Sequence, residues 1–325
     1  MEKIKQVCWE CPSNIALIKY WGKRPVQFPM NPSFSFSLQN SRTRTSVQLE
    51  EGEEGFHFLF EGKETGFSER TGSFLRTIVS SCSWLRGYHL TIESENTFPH
   101  SAGIASSASA FGALALCLVD LGKEIEGGPL SEAAFFRAAS GLARQGSGSA
   151  CRSIYPGFAW WGESGIFEGS CDEYAVPVTQ FIDPLFYSLC DAVLMVDSSS
   201  KEVSSSAGHQ LMDRHFFREG RMRQAGDHLS GIMAAMRSGD YGRFFAISES
   251  EALSLHALMM TSDPSFLLLK PASISLLNKI KEFRRQSGLS VGFSIDAGPN
   301  IHFLYFEKDK EEVHRFIVKV MNIQI

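Results

Sequence analysis

The chain has no surplus of positive charge: among 325 residues, 31 Lys and Arg stand against 36 Asp and Glu, a formal net charge of −5. That balance offers no general attraction to nucleic acid or acidic membranes, so an anionic ligand must be held by a local pocket. Long apolar runs are also missing. The opening MEKIKQVC has two lysines and a glutamate and no apolar core of signal-peptide length. The uncharged stretch 101–119 comes nearest to a membrane span, but Ser101, Ser106, Ser107, Ser109 and two glycines interrupt it. Its apolar part, 111–119, is only about half a span, which predicts a buried helix.

Other signatures are absent as well. The seven cysteines are odd in number and scattered, which suits a reducing compartment better than a disulfide framework and makes the cytoplasm the expected location. The CWEC at 8–11 has C-x-x-C spacing, but no second Cys or His pair completes a zinc set and no thioredoxin-like strand and helix surround it. The nine histidines show no metal-type clustering, and only His100 adjoins a candidate site. There is no G-x-S-x-G elbow, no G-x-x-x-x-G-K-[ST] loop, no internal repeat and no low-complexity tract.

What is present is an ordinary globular composition, 43% hydrophobic and 21% charged, in a chain long enough for two lobes. The first hundred residues predict strands at 7–9, 15–20, 34–38, 43–49, 56–60 and 88–92, with Gly52, Gly55 and Gly62 marking turns and a helix at 69–85. After the uncharged helix, Ser131 caps another that ends near Gly146. Beyond about residue 185 a strand at 192–196 leads into helices at 209–237, 241–260 and 273–286, then strands at 291–295 and 301–306 and a helix at 310–321. This is the pattern of an α+β protein whose lobes, 1–185 and 186–325, share a tight interface.

Five segments carry candidate chemistry. In NIALIKYWGKRP (14–25) an apolar strand ends abruptly in Lys19, Tyr20, Trp21, Gly22, Lys23 and Arg24, which suits an anion pocket and equally a solvated basic turn. In PHSAGIASSAS (99–109) small residues feed a helix start, where Ser106 and Ser107 would add hydroxyls beside free N–H groups for a polyphosphate. GSGSACR (146–152) offers a turn of amides and hydroxyls followed by Arg152, which can grip a carboxylate or phosphate with two hydrogen bonds. Asp296 closes a strand ahead of a glycine and a proline, where it could orient or deprotonate a hydroxyl or merely form an Asx turn. SSSKEVSSS (198–206) presents Lys201, Ser205 and Ser206 among other hydroxyls, and most of its serines also fit a solvated loop.

Taken in order, PSNIALIKYWGK (12–23), NTFPHSAGIASS (96–107), GSGSACRS (146–153) and DAGPN (296–300) closely resemble the diphosphomevalonate decarboxylase family over nearly the whole chain. That family belongs to the superfamily of galactokinase, homoserine kinase, mevalonate kinase and phosphomevalonate kinase. The resemblance implies the GHMP-kinase fold. Its N-terminal ribosomal-protein-like α/β lobe would be residues 1–185, with the ATP phosphate loop, packed on a ferredoxin-like lobe, 186–325, with the catalytic Asp. It also implies decarboxylation of 5-diphosphomevalonate to isopentenyl diphosphate, dependent on ATP and Mg²⁺, and a homodimer.

Residue by residue, the resemblance makes Asp296 the base or orienting group at the 3-hydroxyl, with Arg152 on the substrate carboxylate and Lys19 near both. Tyr20, Trp21, Gly22 and Lys23 would line the substrate site, with Gly148, Ala150 and Cys151, while Ser147, Ser149 and Arg76 would hold the diphosphate. Gly103, Ile104, Ala105, Ser106 and Ser107 would cradle ATP phosphates with Asn96 and Lys201 nearby, and Ser107 would stand next to the Mg²⁺ of MgATP. Two positions depart from the better-known members: His100 replaces Thr, and Ser206 replaces Thr or Arg. The second puts a diphosphate contact by Ser205 and Ser206 in question and leaves open a monophosphorylated substrate, as it leaves open a kinase that stops at the 3-phosphate. A nucleotide- or isoprenoid-sensing module without catalysis is the reading from another class, because fold alone never fixes function.

Overall fold

The structure, a computed structural model, describes residues 5–98, 104–197 and 205–321. Its N-terminal lobe is built on two long antiparallel strands, β1 (Lys5–Ile18) and β4 (Ser33–Glu51), linked through a small hairpin of β2 (Lys23–Arg24) and β3 (Phe28–Pro29). The runs predicted at 7–9 and 15–20 are thus one strand into Ile18, and those at 34–38 and 43–49 are another. A bulge between Pro12 and Ser13 absorbs the register change, so both halves of β1 stay paired with β4. On its other edge β4 pairs with β6 (Tyr88–Asn96) along its second half and β7 (Phe158–Trp161) along its first. β5 (Gly55–Phe60), parallel to β6, and β8 (Ala175–Pro177) complete the six-stranded sheet.

One face of this sheet is covered by α1 (Phe67–Ile78), α2 (Ser106–Glu126) and α3 (Glu132–Gly146), with the short α4 (Ala150–Ser153) following. α2 is buried along most of its length, as its uncharged sequence requires, and packs so closely on β1 that a Cβ at Gly112 would lie 2.4 Å from Cys11 Sγ. Cys11 is therefore buried while Cys8, three residues away on the same strand, is exposed. The helix predicted at 69–85 instead stops at Ile78, and a 3₁₀ turn, Ser83–Gly87, follows. The serine-rich segment 80–83 favours turns over helix, which accounts for the stop.

The second lobe has a three-stranded antiparallel sheet in the order β10 (Gly292–Ser294), β11 (Ile301–Phe306), β9 (Leu189–Leu194). Around it lie α5 (Ser205–Leu211), α6 (Arg218–Ser238), α7 (Tyr241–Met260), α8 (Pro271–Ser287) and α9 (Lys310–Met321). The helix predicted at 209–237 is broken between Leu211 and Arg218. There His215 accepts the Phe217 N–H through Nδ1 at 3.0 Å and donates to the Leu258 carbonyl at 2.9 Å, so a side chain replaces the helical hydrogen-bond ladder. Among the described residues, no helix is long and apolar enough to cross a membrane.

Strand β11 is buried on both faces. Ile301, Phe303 and Tyr305 pack in one core, and Leu304 and Phe306 in the next. That second core belongs to both lobes: Ile15, Leu17, Ile18, Phe34 and Trp160 of the first meet Leu229, Ile232, Phe244 and Phe306 of the second. The lobes should therefore unfold together. Phe244→Ala is expected to lower stability by about 3–5 kcal/mol. In denaturant titrations the fluorescence of the five tryptophans, all between residues 9 and 161, should lose its midpoint in step with far-UV circular dichroism. An unmoved fluorescence midpoint would show that the lobes fold independently.

Candidate active site

The apolar end of β1 drives a charged side chain into the lobe interface. Ile15, Leu17 and Ile18 are fully buried, and Lys19, next in line, is only 2% exposed. Its ammonium donates to Asp296 Oδ1 at 2.6 Å and to Ser294 Oγ at 2.8 Å, and Ser294 in turn donates to the Ala16 carbonyl at 3.1 Å. Burial pushes the Lys19 pKa down, and Asp296 pulls against that. Asp296 stands just past β10, its carbonyl bonded by the Gly298 N–H at 2.7 Å and by His256 at 3.1 Å, while its carboxylate is 28% exposed toward the cleft.

Arg152 lies on α4 and is also 2% exposed. Its guanidinium donates to Ser33 Oγ (2.5 Å), Ser35 Oγ (3.0 Å) and Asn14 Oδ1 (3.4 Å), and sits 5.7 Å from the Tyr20 ring centre and 5.8 Å from that of Trp161. Strand alternation explains the serines: Phe34 and Phe36 enter the core, so Ser33 and Ser35 face the other way. Arg152 makes no ion pair with any described residue. A buried guanidinium held only by neutral groups and aromatic faces is incompletely compensated, and an anionic ligand would complete it.

The two small-residue loops meet. Ser107 Oγ, in the first turn of α2, is 3.3 Å from Ser147 Oγ, and Ser147 Oγ is 3.5 Å from Ser149 Oγ. The α2 N-terminus has Ala105 at its cap with no side-chain cap bond, so its amides suit phosphate oxygens. Beside it is a narrow apolar recess with about 40 Å³ of free space, lined by Asn96, Ser106, Ser107, Arg70 and Phe111 among others. These amides and hydroxyls suit the phosphates of a nucleotide. Among the described residues no cluster of three or more His, Cys, Asp or Glu could hold a metal.

Several expected residues fall into this cleft and others do not. Gly148 lies against Tyr20, where a Cβ would be 2.6 Å from the Tyr20 hydroxyl. Ala150 and Cys151 are fully buried, the thiol donating to the Gly148 carbonyl at 3.0 Å, so they shape the loop from behind. Trp21 is buried with Met212 and Leu255, Ile104 is buried in the core shared by the lobes, and Asn96 accepts from Thr43 at 2.7 Å. Arg76 is exposed and lies beside Gly72 on α1. Arg70, also exposed, reaches from α1 to within 5.7 Å of the Phe111 ring centre and lines the recess beside Ser106 and Ser107. His100, Gly103 and Lys201 lie outside the described residues, as do the side chains of Ser205 and Ser206.

The match to known families follows this geometry. A model described as the diphosphomevalonate decarboxylase-like N-terminal domain matches residues 11–171, and one described as the mevalonate 5-diphosphate decarboxylase C-terminal domain matches 192–324. The diphosphomevalonate decarboxylase of Aspergillus fumigatus is 31% identical over 93% of this chain and 77% of its own length. The chain belongs to the diphosphomevalonate decarboxylase family. The Saccharomyces cerevisiae enzyme is likewise 31% identical, over 95% of this chain and 80% of its own. Among solved structures, mevalonate diphosphate decarboxylase from Staphylococcus aureus superposes with a TM-score of 0.84 at 30% identity, covering 97% of this chain and 92% of that one. A relative named MDDEF, solved in complex with MVAPP, AMPPCP and magnesium, gives 0.82 at 29% identity over 97% and 93%. The fold is α+β of the GHMP type.

Three residues that border the groups described above escaped the sequence pattern. Ser294 had no signal beyond its strand. Arg70 had one, since it precedes buried Phe74 by one helical turn. His209, on α5, accepts the Gly22 N–H through Nδ1 at 3.0 Å, with its ring centre 4.5 Å from those of both Tyr20 and Trp21. Burial, then Lys23 and Arg152, keep its pKa well below 6.5, so the imidazole is neutral.

Burial, reinforced by Arg70, lowers the Lys23 pKa to about 8. Lys23 should therefore lose its charge as pH rises through about 8. Removing the neighbouring cation favours the protonated form, so Arg70→Gln should move this titration upward. Acetic anhydride labelling of Lys23 against pH, read by mass spectrometry, tests this, and coincident curves for the two proteins would mean that Arg70 does not act on Lys23.

Proposed function

We propose that the chain is an ATP-dependent carboxy-lyase that converts (R)-5-diphosphomevalonate to isopentenyl diphosphate with release of ADP, phosphate and CO₂. The observation that carries this is the pairing of Lys19 with Asp296 beside a buried Arg152 that lacks a carboxylate partner among the described residues. A simple kinase needs a group to orient the hydroxyl, but a buried cation suited to a second, carboxylate-bearing end of the substrate is what decarboxylation requires.

When bound, MgATP supplies the phosphoryl group that converts a tertiary hydroxyl into a leaving group. Asp296 orients that hydroxyl and takes its proton. Lys19 keeps Asp296 ionised and adds positive charge where negative charge gathers. Arg152, beside the rings of Tyr20 and Trp161, grips the carboxylate and holds it in line for C–C cleavage. Ser147 and Ser149, with Lys23 and Arg70, hold the phosphorylated tail, while Ser106 and Ser107 serve the nucleotide with Asn96 beside them. By the family resemblance alone, Ser205 and Ser206 are assigned to the tail and Gly103 and Lys201 to the nucleotide. The division of labour follows the lobes, 1–185 carrying the phosphate loops and 186–325 the base.

The same reading places the protein in the cytoplasm as a homodimer, and its seven free thiols support the reducing location. Purified protein supplied with MgATP and 5-diphosphomevalonate should release CO₂, phosphate and ADP in equal amounts. ADP without CO₂ would instead identify a 3-kinase, and preference for the monophosphate would identify a 5-phosphomevalonate decarboxylase. Asp296→Asn should lower kcat by about 10²–10⁴-fold while nucleotide affinity, followed by calorimetry, stays unchanged; an unaltered kcat would remove Asp296 from its role.

A further inference from the structure

The backbone that carries Lys19 belongs to neither helix nor strand from residue 19 to 22, yet Lys19, Trp21 and Gly22 are buried there. Buried N–H and C=O groups must be paired, and here side chains do it. The Lys19 N–H donates to Glu251 Oε2 at 2.8 Å. The Lys19 carbonyl accepts from Asn31 Nδ2 at 3.0 Å and from Arg221 Nη2. Glu251, on α7, is fully buried and Arg221, on α6, is 3% exposed.

The two side chains form a bidentate pair, with Nη1 to Oε1 at 2.7 Å and Nη2 to Oε2 at 2.8 Å, and His228 Nδ1 donates to Oε1 at 2.7 Å. The carboxylate thus takes four hydrogen bonds, one of them from the peptide that leads into the reacting lysine. Burying such a pair contributes little net stability compared with apolar side chains of the same size. What it supplies is direction: the two charged groups of the second lobe close on the N–H and the carbonyl of one residue of the first, Lys19.

We infer that Glu251 is a positioning residue, which with Arg221 fixes the Lys19 peptide and thereby sets where the Lys19 ammonium meets Asp296. The inference rests on the proposed roles of Lys19 and Asp296. It makes lobe packing and the geometry of the reacting pair one event, because the base and the clamp come from the second lobe and the lysine from the first.

Charge separates this role from a merely structural one. Lys19 faces Asp296, Glu251, Arg152 and, behind Ser294, His302, which is paired with Asp191. Burial disfavours the Glu251 charge, yet Arg221 and the other donors hold its pKa at about 2, so it stays ionised in the working range. Its negative charge supports protonation of Lys19, and losing it should lower the Lys19 pKa.

The test compares Glu251→Gln, which keeps an acceptor without the charge, with Glu251→Asp, which keeps the charge with a shorter reach. Both should lower kcat by about 10- to 100-fold with KM for ATP unchanged. In Glu251→Gln the alkaline limb of the kcat profile should also move to lower pH, whereas Glu251→Asp should leave it in place. A kcat within about twofold of wild type in both, or an unmoved limb in folded Glu251→Gln, overturns the inference.

If Glu251→Gln fails to fold, the double variant Glu251→Leu/Arg221→Met replaces the pair with apolar groups, and wild-type kcat in that folded protein overturns it equally. Were wild-type protein inactive, the proposed function would fall while the clamp is still decided by hydrogen exchange at the Lys19 amide. That exchange should speed up by about tenfold or more in the double variant, with α8 and α9 unaffected; equal exchange overturns the inference.

Discussion

The ion pair of Lys19 with Asp296 spans the lobe interface, and the arrangement of the cleft depends on it. Neither partner could be left alone there, since an uncompensated buried charge is strongly unfavourable. Lys19 is delivered by a strand whose last apolar residues fill the core shared by the lobes, and Asp296 by a strand of the opposite lobe. Docking the apolar surfaces therefore brings the charges together.

Around that pair the local charge balance reverses that of the whole molecule. The chain is negative overall, yet Lys19 and Arg152 gather around Asp296, the proposed base, with Lys23 near Arg152's side of the cleft and Arg70 next to Lys23. Such an imbalance makes the site a receptor for anions, and burial strengthens it because few water molecules screen it. Hydroxyls and amides of the two small-residue loops extend the same preference without adding charge. The neutral His209, wedged between Tyr20 and Trp21, holds the turn in shape without adding a cation that would repel Lys23.

Much of this was legible in the residues. The strand ending in Lys19, the serine loops, Arg152 and Asp296 were visible because each interrupts a strong local pattern: a cation after an apolar run, glycines before a helix, an acid before a tight turn. Helices from α7 onward followed their periodicity closely, and β11 followed its apolar run. The place of Arg70 was less legible, because its nearness to Phe111 comes from the packing of Phe74 of α1 against Phe111 of α2. The break near His215 was hidden because one side chain there takes over backbone hydrogen bonds, using the Leu258 carbonyl more than forty residues away.

By itself, the sequence determined the α+β class, the sites of its loops and the chemical kinds of group available, because local propensity and strand or helix period depend on near neighbours. The tertiary structure alone decided which of those groups share one cleft. Lys19 and Asp296 are 277 positions apart, and Ser33, Ser35 and Asn14 became the holders of Arg152 only through the pairing of β1, β4 and β7. Contacts of that kind are set by how apolar faces dock, and docking is a property of the whole chain rather than of any segment within it.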